Sequence, residues 1–269
     1  MHVATRVGRH RLCSPGHIAP HAAVANNALP SMNAFADSLT TAVHLITHAD
    51  AALLQIVGLS LAVSGSACLL AAGFGLFGGA VLAATRFRGQ RSLTLLLNTL
   101  LALPSVVVGL VVYLLLSRSG PLGSLGILFT PTAMVIAQTL LALPLVAALT
   151  RQMVADALRG SGDQLRSMGA PPTVRALLML VHERWAVLTV VLTAFGRAIA
   201  EVGAVMIVGG NIDGVTRVMT TTIALETSKG DLPLALALGL ILLGLVWLIN
   251  LGIAGLQRWQ VAPLAGAAR

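Results

Sequence analysis

Apolar residues fill five long runs of the chain, separated by shorter polar segments. The runs cover residues 53–83, 93–116, 131–149, 185–208 and 232–256. Each reaches the about 17–25 residues with which a helix crosses a bilayer. The pattern predicts an all-α membrane protein with five transmembrane helices, its membrane domain spanning 51–257. The first run is long enough to include an interfacial turn or a tilt. Near its end, Gly73, Gly75, Gly78 and Gly79 predict close helix packing. The run at 185–208 reads as one continuous helix. The hexapeptide TLLALP occurs at 99–104 and again at 139–144. Chance produces such echoes in Leu/Ala-rich helices. The sharper reading is that Pro104 and Pro144 kink two neighbouring helices and free backbone carbonyls toward a central path.

Two segments flank the membrane domain. In MNAFADSLTTAVHLITHAD (32–50), Phe35, Leu39, Val43 and Ile46 share one helical face, predicting an amphipathic helix on the outer membrane surface. Residues 1–31 are rich in His, Pro and Ala and have no apolar core, so they do not read as a secretory signal. They are expected to be a non-native or disordered extension, with translation beginning at Met32. Residues 258–269 are expected to form a cytoplasmic tail.

Composition sharpens the class. Charged residues make up 10% of the chain, against about 25% in soluble domains. The mean hydropathy is +0.90. The formal charge of +8 would point to nucleic acid in a soluble protein. Here the excess is arginine at the ends of apolar runs, with only 4% aromatic residues, so nucleic acid is not an expected partner. Arg86, Arg88 and Arg91 lie between the first two runs; Arg151, Arg159, Arg166, Arg175 and Arg184 lie between the third and fourth; Arg258 and Arg269 lie in the tail. Five spans put all of them on one side, which the positive-inside rule makes cytoplasmic. The N-terminus is then outside and the C-terminus cytoplasmic. Arg6, Arg9 and Arg11 run against this, but they are far from the first span.

Little in the chain resembles catalytic machinery. Cys13 and Cys68 have no CxxC neighbour, so no disulfide framework or metal site is indicated. The motifs HExxH, GxSxG and GxxxxGK[ST] are absent, so the chain has no P-loop for ATP and is not read as an enzyme.

The chemistry-bearing residues gather near the fourth run, in FGRAIAEVGAVMIVGGNI. Arg197 and Glu201 stand four residues apart in an otherwise apolar stretch. Each charge costs at least about 2.5–3.5 kcal/mol at a bilayer centre, and the i,i+4 spacing puts both on one helix face. They read as a mutually neutralising pair that fixes the helix, or as part of an anion path in which the arginine fork serves an oxyanion. A proton relay through Glu201 is a third reading. Arg preceding Glu is the weaker order on an isolated helix, so help from other helices is expected. Gly209, Gly210 and Asn211 follow, with Asn211 a candidate helix cap. Between 211 and 231, Arg217, Thr220, Thr221 and Thr222 are candidates for the mouth of a path, a re-entrant piece or a solvated loop.

The longest polar segment inside the membrane domain, about 151–184, has a short helix expected over 163–168, ended by Gly169 and broken by Pro171-Pro172. Its DQLRSMGAPPTVRALLMLV resembles the EAA loop of type I ABC importer permeases. Asp163-Gln164-Leu165 stand where that motif has Glu-Ala-Ala, Gly169 is its glycine, Met179 replaces Ile, and Val181-His182 replace Leu-Pro. Residues 98–144 and 196–243, with AEVGAVMIVGGNI and TTTIALETSKG, are similar to the permease subunits of tungstate importers, and less so to molybdate and sulfate permeases. The likeness runs from about residue 32 to 257.

This resemblance implies the type I ABC importer permease fold in the bacterial inner membrane. It implies a homodimer in lipid, two cytoplasmic ATPase subunits holding ATP and Mg, and an extracytoplasmic oxyanion-binding protein. Asp163, Gln164, Leu165, Gly169 and Ala170 would be the ATPase-coupling residues. The chain itself would bind no cofactor and no metal. Molybdate or sulfate import, a self-sufficient secondary transporter and a membrane scaffold remain as alternatives. Peptide mapping of the natively expressed, membrane-purified protein is expected to find nothing from residues 1–31; one such peptide refutes a start at Met32.

Overall fold

The computed structural model describes residues 51–266 and, before them, residues 36, 39–41, 43, 44, 47 and 48. Side chains from 258 onward are not described. The expected extension at 1–31 lies outside the described residues. So does most of 32–50, including Phe35 and Ile46 of the expected amphipathic face.

Every regular element among the described residues is helical. The order is α1 (Ala51–Ala84), α2 (Gln90–Leu101), α3 (Ser105–Leu116), a single 3₁₀ turn at Gly123–Leu125, α4 (Pro131–Ser167), α5 (Pro172–His182), α6 (Arg184–Ile199), α7 (Gly203–Gly209), α8 (Met219–Lys229) and α9 (Leu232–Gly266). Three helices are long and apolar enough to cross a membrane on their own: α1, α4 and α9. Five is reached only if α2 with α3, and α5 with α6, each count as one bent span.

The sequence reading is corrected at several places. α1 has no interfacial turn; it is one helix of 34 residues, about 51 Å at 1.5 Å per residue. The second expected span bends by 98° between α2 and α3. Pro104 sets this corner, with φ −62° and ψ 128° before α3. Its ring bars its predecessor from the helical region and so stops α2. Pro144, by contrast, lies inside the unbroken α4. The third expected span, 131–149, runs on to Ser167, so α4 has 37 residues. Thr130 starts it by accepting the Ala133 N–H at 3.4 Å, with Pro131 in the first turn, where a missing N–H costs nothing. The fourth expected span is not continuous: α6 stops at Ile199 and α7 begins at Gly203. α9 carries helix well into the expected tail.

α4 is the element on which the others converge. Ala142 and Val146 meet Cys68 and Ala71 of α1 and Val190 and Ala194 of α6. Ala133 and Ala137 meet Val112 of α3 and Ala204 and Val208 of α7. Val154 meets Ala80 of α1 and Ala176 and Met179 of α5. Small side chains dominate these seams, as expected where apolar lipid gives helices no hydrophobic reason to associate and close approach must. The outer faces are apolar too: Leu69, Phe74 and Phe77 of α1 are more than half exposed, as a lipid-facing surface requires.

Gly79 marks the tightest point of the α1–α4 seam. A Cβ there would run into the Ala147 carbonyl oxygen, which is backbone and cannot turn aside. Its neighbour Gly78 has open space. Alanine favours a helix over glycine by up to about 1 kcal/mol, so the two sites should respond with opposite sign. Gly78→Ala is expected to leave the thermal midpoint of the detergent-solubilised protein unchanged or raised. Gly79→Ala is expected to lower it, by an overpacking cost of about 1–3 kcal/mol.

Candidate functional site

Residues 200–202 interrupt the fourth apolar run. A break leaves carbonyls at the end of α6 and N–H groups at the start of α7 without helical partners. An apolar surround offers none, so partners must come from inside the protein. The structure answers with side chains from three directions. Gln138 Nε2 of α4 donates to the Ala198 carbonyl at 3.0 Å, and the Glu201 N–H donates to the same oxygen at 3.2 Å. Thr220 Oγ1 of α8 donates to the Glu201 carbonyl at 2.8 Å. The Glu201 carboxylate itself accepts the Ala204 N–H at 3.3 Å, from the first turn of α7.

This geometry changes the reading of Arg197 and Glu201. The two do not lie on one continuous helix, and no ion pair joins them within 4.0 Å. The i,i+4 argument fails because α6 ends between them and the carboxylate turns to α7. Glu201 is half-buried and Arg197 is exposed on the flank of α6. Both nevertheless border one small cavity, together with Gln138, Leu101, Leu103 and Leu141. At about 30 Å³ it has room for about two waters, too little for a tetrahedral oxyanion. Gln138 is 4% exposed, and its Oε1 has no partner among the described residues. Sequence reasoning missed Gln138. Its signal was available: it is the one amide side chain in the apolar run 131–149.

The candidates beyond α7 do not gather at this cavity. Gly210, not Asn211, ends α7, with φ +69° and its N–H on the Met206 carbonyl. Asn211 Nδ2 donates to the Thr221 carbonyl at 3.4 Å instead. Gly209 lies against Met134, where a Cβ would come within 2.9 Å of its sulfur. Arg217 pairs with Asp213 at 2.9 Å. Thr220, Thr221 and Thr222 are not in a solvated loop; they are buried in the first turn of α8. Thr221 and Thr222 donate to the Val218 carbonyl at 3.1 and 2.7 Å. Their hydroxyls are engaged with backbone rather than lining an open route. The Met219 N–H at the start of α8 reaches Ser60 Oγ of α1 at 2.8 Å, a second polar anchor that the sequence reading did not single out.

The polar segment at 151–184 is mostly helix. The expected short helix at 163–168 is the last part of α4. Its stop is where the sequence put it, at Gly169, with φ +74°. The Gly169 N–H reaches the Arg166 carbonyl at 2.9 Å and the Ala170 N–H the Leu165 carbonyl at 3.1 Å. That is the left-handed glycine termination in which two orphan carbonyls are satisfied. Asp163, Gln164, Gly169 and Met168 are exposed, Leu165 and Ala170 half-buried. This end of α4 therefore presents an uncovered surface just before the turn into α5.

Three relatives are similar to the chain in sequence. The chain is 43% identical over 230 residues to the tungstate uptake system permease protein of Peptoclostridium acidaminophilum, covering 84% of this chain and 100% of the relative. It is 43% identical over 203 residues to a probable anion ABC transporter permease protein of Haloferax volcanii, covering 74% and 88%. It is 36% identical over 214 residues to the tungstate uptake system permease protein of Campylobacter jejuni, covering 80% and 90%. No protein-family model matches.

The latch at the break is testable by itself. Thr220→Val removes the donor to the Glu201 carbonyl and is expected to lower stability by about 1–2 kcal/mol. Thr220→Ser is expected to retain most of it. Faster amide exchange confined to 200–206 in the valine variant locates the loss at the break.

Proposed function

We propose, because the chain belongs to the permease family of ABC-type anion uptake systems, that it forms the translocation path of an ATP-driven importer for a tetrahedral oxyanion, tungstate before molybdate or sulfate. The observation that carries this reading is the match along the whole length of a tungstate uptake permease. The two bent helix pairs, each taken as one span, give five spans. The arginine-rich ends then face the cytoplasm of a bacterial inner membrane, with the N-terminus outside.

The broken span supports a path beside it. Arg197 is an exposed guanidinium in an apolar helix, and such a charge faces a water-filled cavity or a protein partner rather than lipid. A second copy of the permease would cover it and place two such arginines beside a shared path. Arginine suits a dianion there, since its fork offers several donors and never loses its charge. The cavity at Glu201 and Gln138 would be the closed state of that path, to be widened when the helices rock, as in alternating-access transporters. ATP and Mg would be held by two separate ATPase subunits, docked on the exposed end of α4 at Asp163, Gln164, Leu165, Gly169 and Ala170. An extracytoplasmic binding protein would deliver the anion and supply much of the choice between tungstate and molybdate.

The test is uptake by the permease reconstituted with its ATPase and binding protein. Gly169→Leu forces a branched side chain into a left-handed position, costing about 1–2 kcal/mol at the turn. It is expected to abolish ATP-dependent tungstate uptake while the protein still inserts. Arg197→Met is expected to abolish uptake with the complex assembled and ATP still hydrolysed. Full uptake in the Gly169 variant, or uptake without ATPase subunits, defeats the importer reading and leaves a self-sufficient transporter. Calorimetric titration of the binding protein with tungstate, molybdate and sulfate checks the substrate separately.

A further inference from the structure

Beside the end of α1 lies a second cavity, far larger than the first, at about 270 Å³. Its walls come from the end of α1, the last turns of α4 and the start of α5. Four arginines border it: Arg86, Arg159, Arg166 and Arg175. Asp163 borders it as well.

Arg175 is the unusual member. Its side chain is buried, the residue being only 8% exposed. Nη2 donates to the Ala84 carbonyl at 3.4 Å, at the C-terminal end of α1, where a cation is favoured by the helix dipole. That single contact leaves a buried guanidinium under-satisfied. Among the described residues Nε has no partner and no carboxylate lies within 4.0 Å of the guanidinium. A buried cation without a counter-charge is expensive, unless an anion enters from the open side.

The remaining arginines can supply the rim. Arg86 is exposed and makes no ion pair within 4.0 Å among the described residues. Arg159 pairs with Asp156 at 3.1 Å, and Arg166 with Asp163 at 3.6 Å. Both are solvent-exposed neighbours on one helix face, a kind of pair worth little and readily exchanged. Four arginines against two carboxylates leave the crevice with two positive charges in excess. Exposed apolar side chains lie close by in sequence: Phe87 next to Arg86, and Leu177 and Leu178 two and three residues after Arg175. A basic pocket at the end of membrane helices with apolar neighbours fits an anionic head group joined to acyl chains.

We propose that this crevice binds a phosphate-class anion, with Arg175 at its floor and Arg86, Arg159 and Arg166 at its rim. The source is a phospholipid head group or free inorganic phosphate. The bound anion ties the end of α1 to the last turns of α4 and the start of α5.

The test uses the full-length chain in lipid nanodiscs. Native mass spectrometry counts the lipid that stays bound in phosphatidylcholine discs with and without phosphatidylglycerol. Selective retention of phosphatidylglycerol, surviving excess inorganic phosphate, assigns the site to a head group. Phosphate binding by calorimetry in pure phosphatidylcholine discs assigns it to the free anion. In either case the double variant R86Q/R159Q changes only exposed side chains and is expected to weaken binding. An arginine near a membrane contributes about fivefold to anion affinity, so the pair is worth about thirtyfold. R88Q/R91Q removes two exposed arginines that do not border the crevice and is expected to retain binding. Absence of both lipid selectivity and phosphate binding overturns the proposal. Equal loss in the two double variants also overturns it, because the effect would then be diffuse surface charge.

Discussion

The structure depends on one constraint: where a helix breaks in an apolar surround, its loose backbone groups must be satisfied by protein. At residues 200–202 the Ala198 and Glu201 carbonyls and the Ala204 N–H find Gln138, Thr220 and the Glu201 carboxylate. These partners come from α4, α8 and the break itself. The break therefore fixes the positions of two other elements. α8 must bring Thr220 within reach, which Ser60 of α1 assists by accepting the Met219 N–H. α4 must bring its one buried amide level with the end of α6. A break held this way is a joint with a defined resting geometry, because each bond has a named donor and acceptor and few alternatives nearby.

α4 connects that joint to the far end of the molecule. Gln138 and Asp163 lie on the same unbroken helix, 25 residues and about 38 Å apart by the helical rise. Its long seam with α1, where Gly79 meets the Ala147 carbonyl, stiffens the part between them. The outer end turns at Gly169 into α5, whose Arg175 grips the end of α1. Under the proposed function, force applied at Asp163 and Gly169 would thus act on a rigid rod rather than on a flexible loop. The rod ends at the break, where hydrogen bonds rather than covalent continuity hold α6 to α7. Coupling between distant sites requires a two-state element that both ends bias; under the proposed function the joint at the break would be that element.

The apolar runs announced α1, α4 and α9 because unbroken hydrophobic length is a local property. The corner before α3 was half-legible: Pro104 stood out, but a kink and a 98° bend look alike in sequence. The stop at Gly169 was legible because a left-handed helix end needs a residue without Cβ. The start of that helix was misplaced because 151–162 holds no proline and its two glycines, Gly160 and Gly162, are tolerated in mid-helix. The break at 200–202 left no local mark. AIAEVGA has no proline, and what sustains the break lies 60 residues upstream at Gln138 and 19 downstream at Thr220. The threonines of α8 read as a loop for the same reason. Their helix is held by burial against α1 and α9, which no window of sequence displays.

The separation of Arg197 from Glu201 follows from the same constraint. A continuous helix would have let the two charges neutralise one another and close the site electrically. Once the helix breaks, the carboxylate is needed by the Ala204 N–H, a local acceptor role that keeps it beside α7. The guanidinium is released onto the flank of α6, where no carboxylate among the described residues engages its donors. An arginine in that state cannot remain bare in hydrocarbon. It must face water, a partner chain or an anion. One glutamate thus satisfies the backbone of its own break and leaves the Arg197 guanidinium without a carboxylate partner among the described residues.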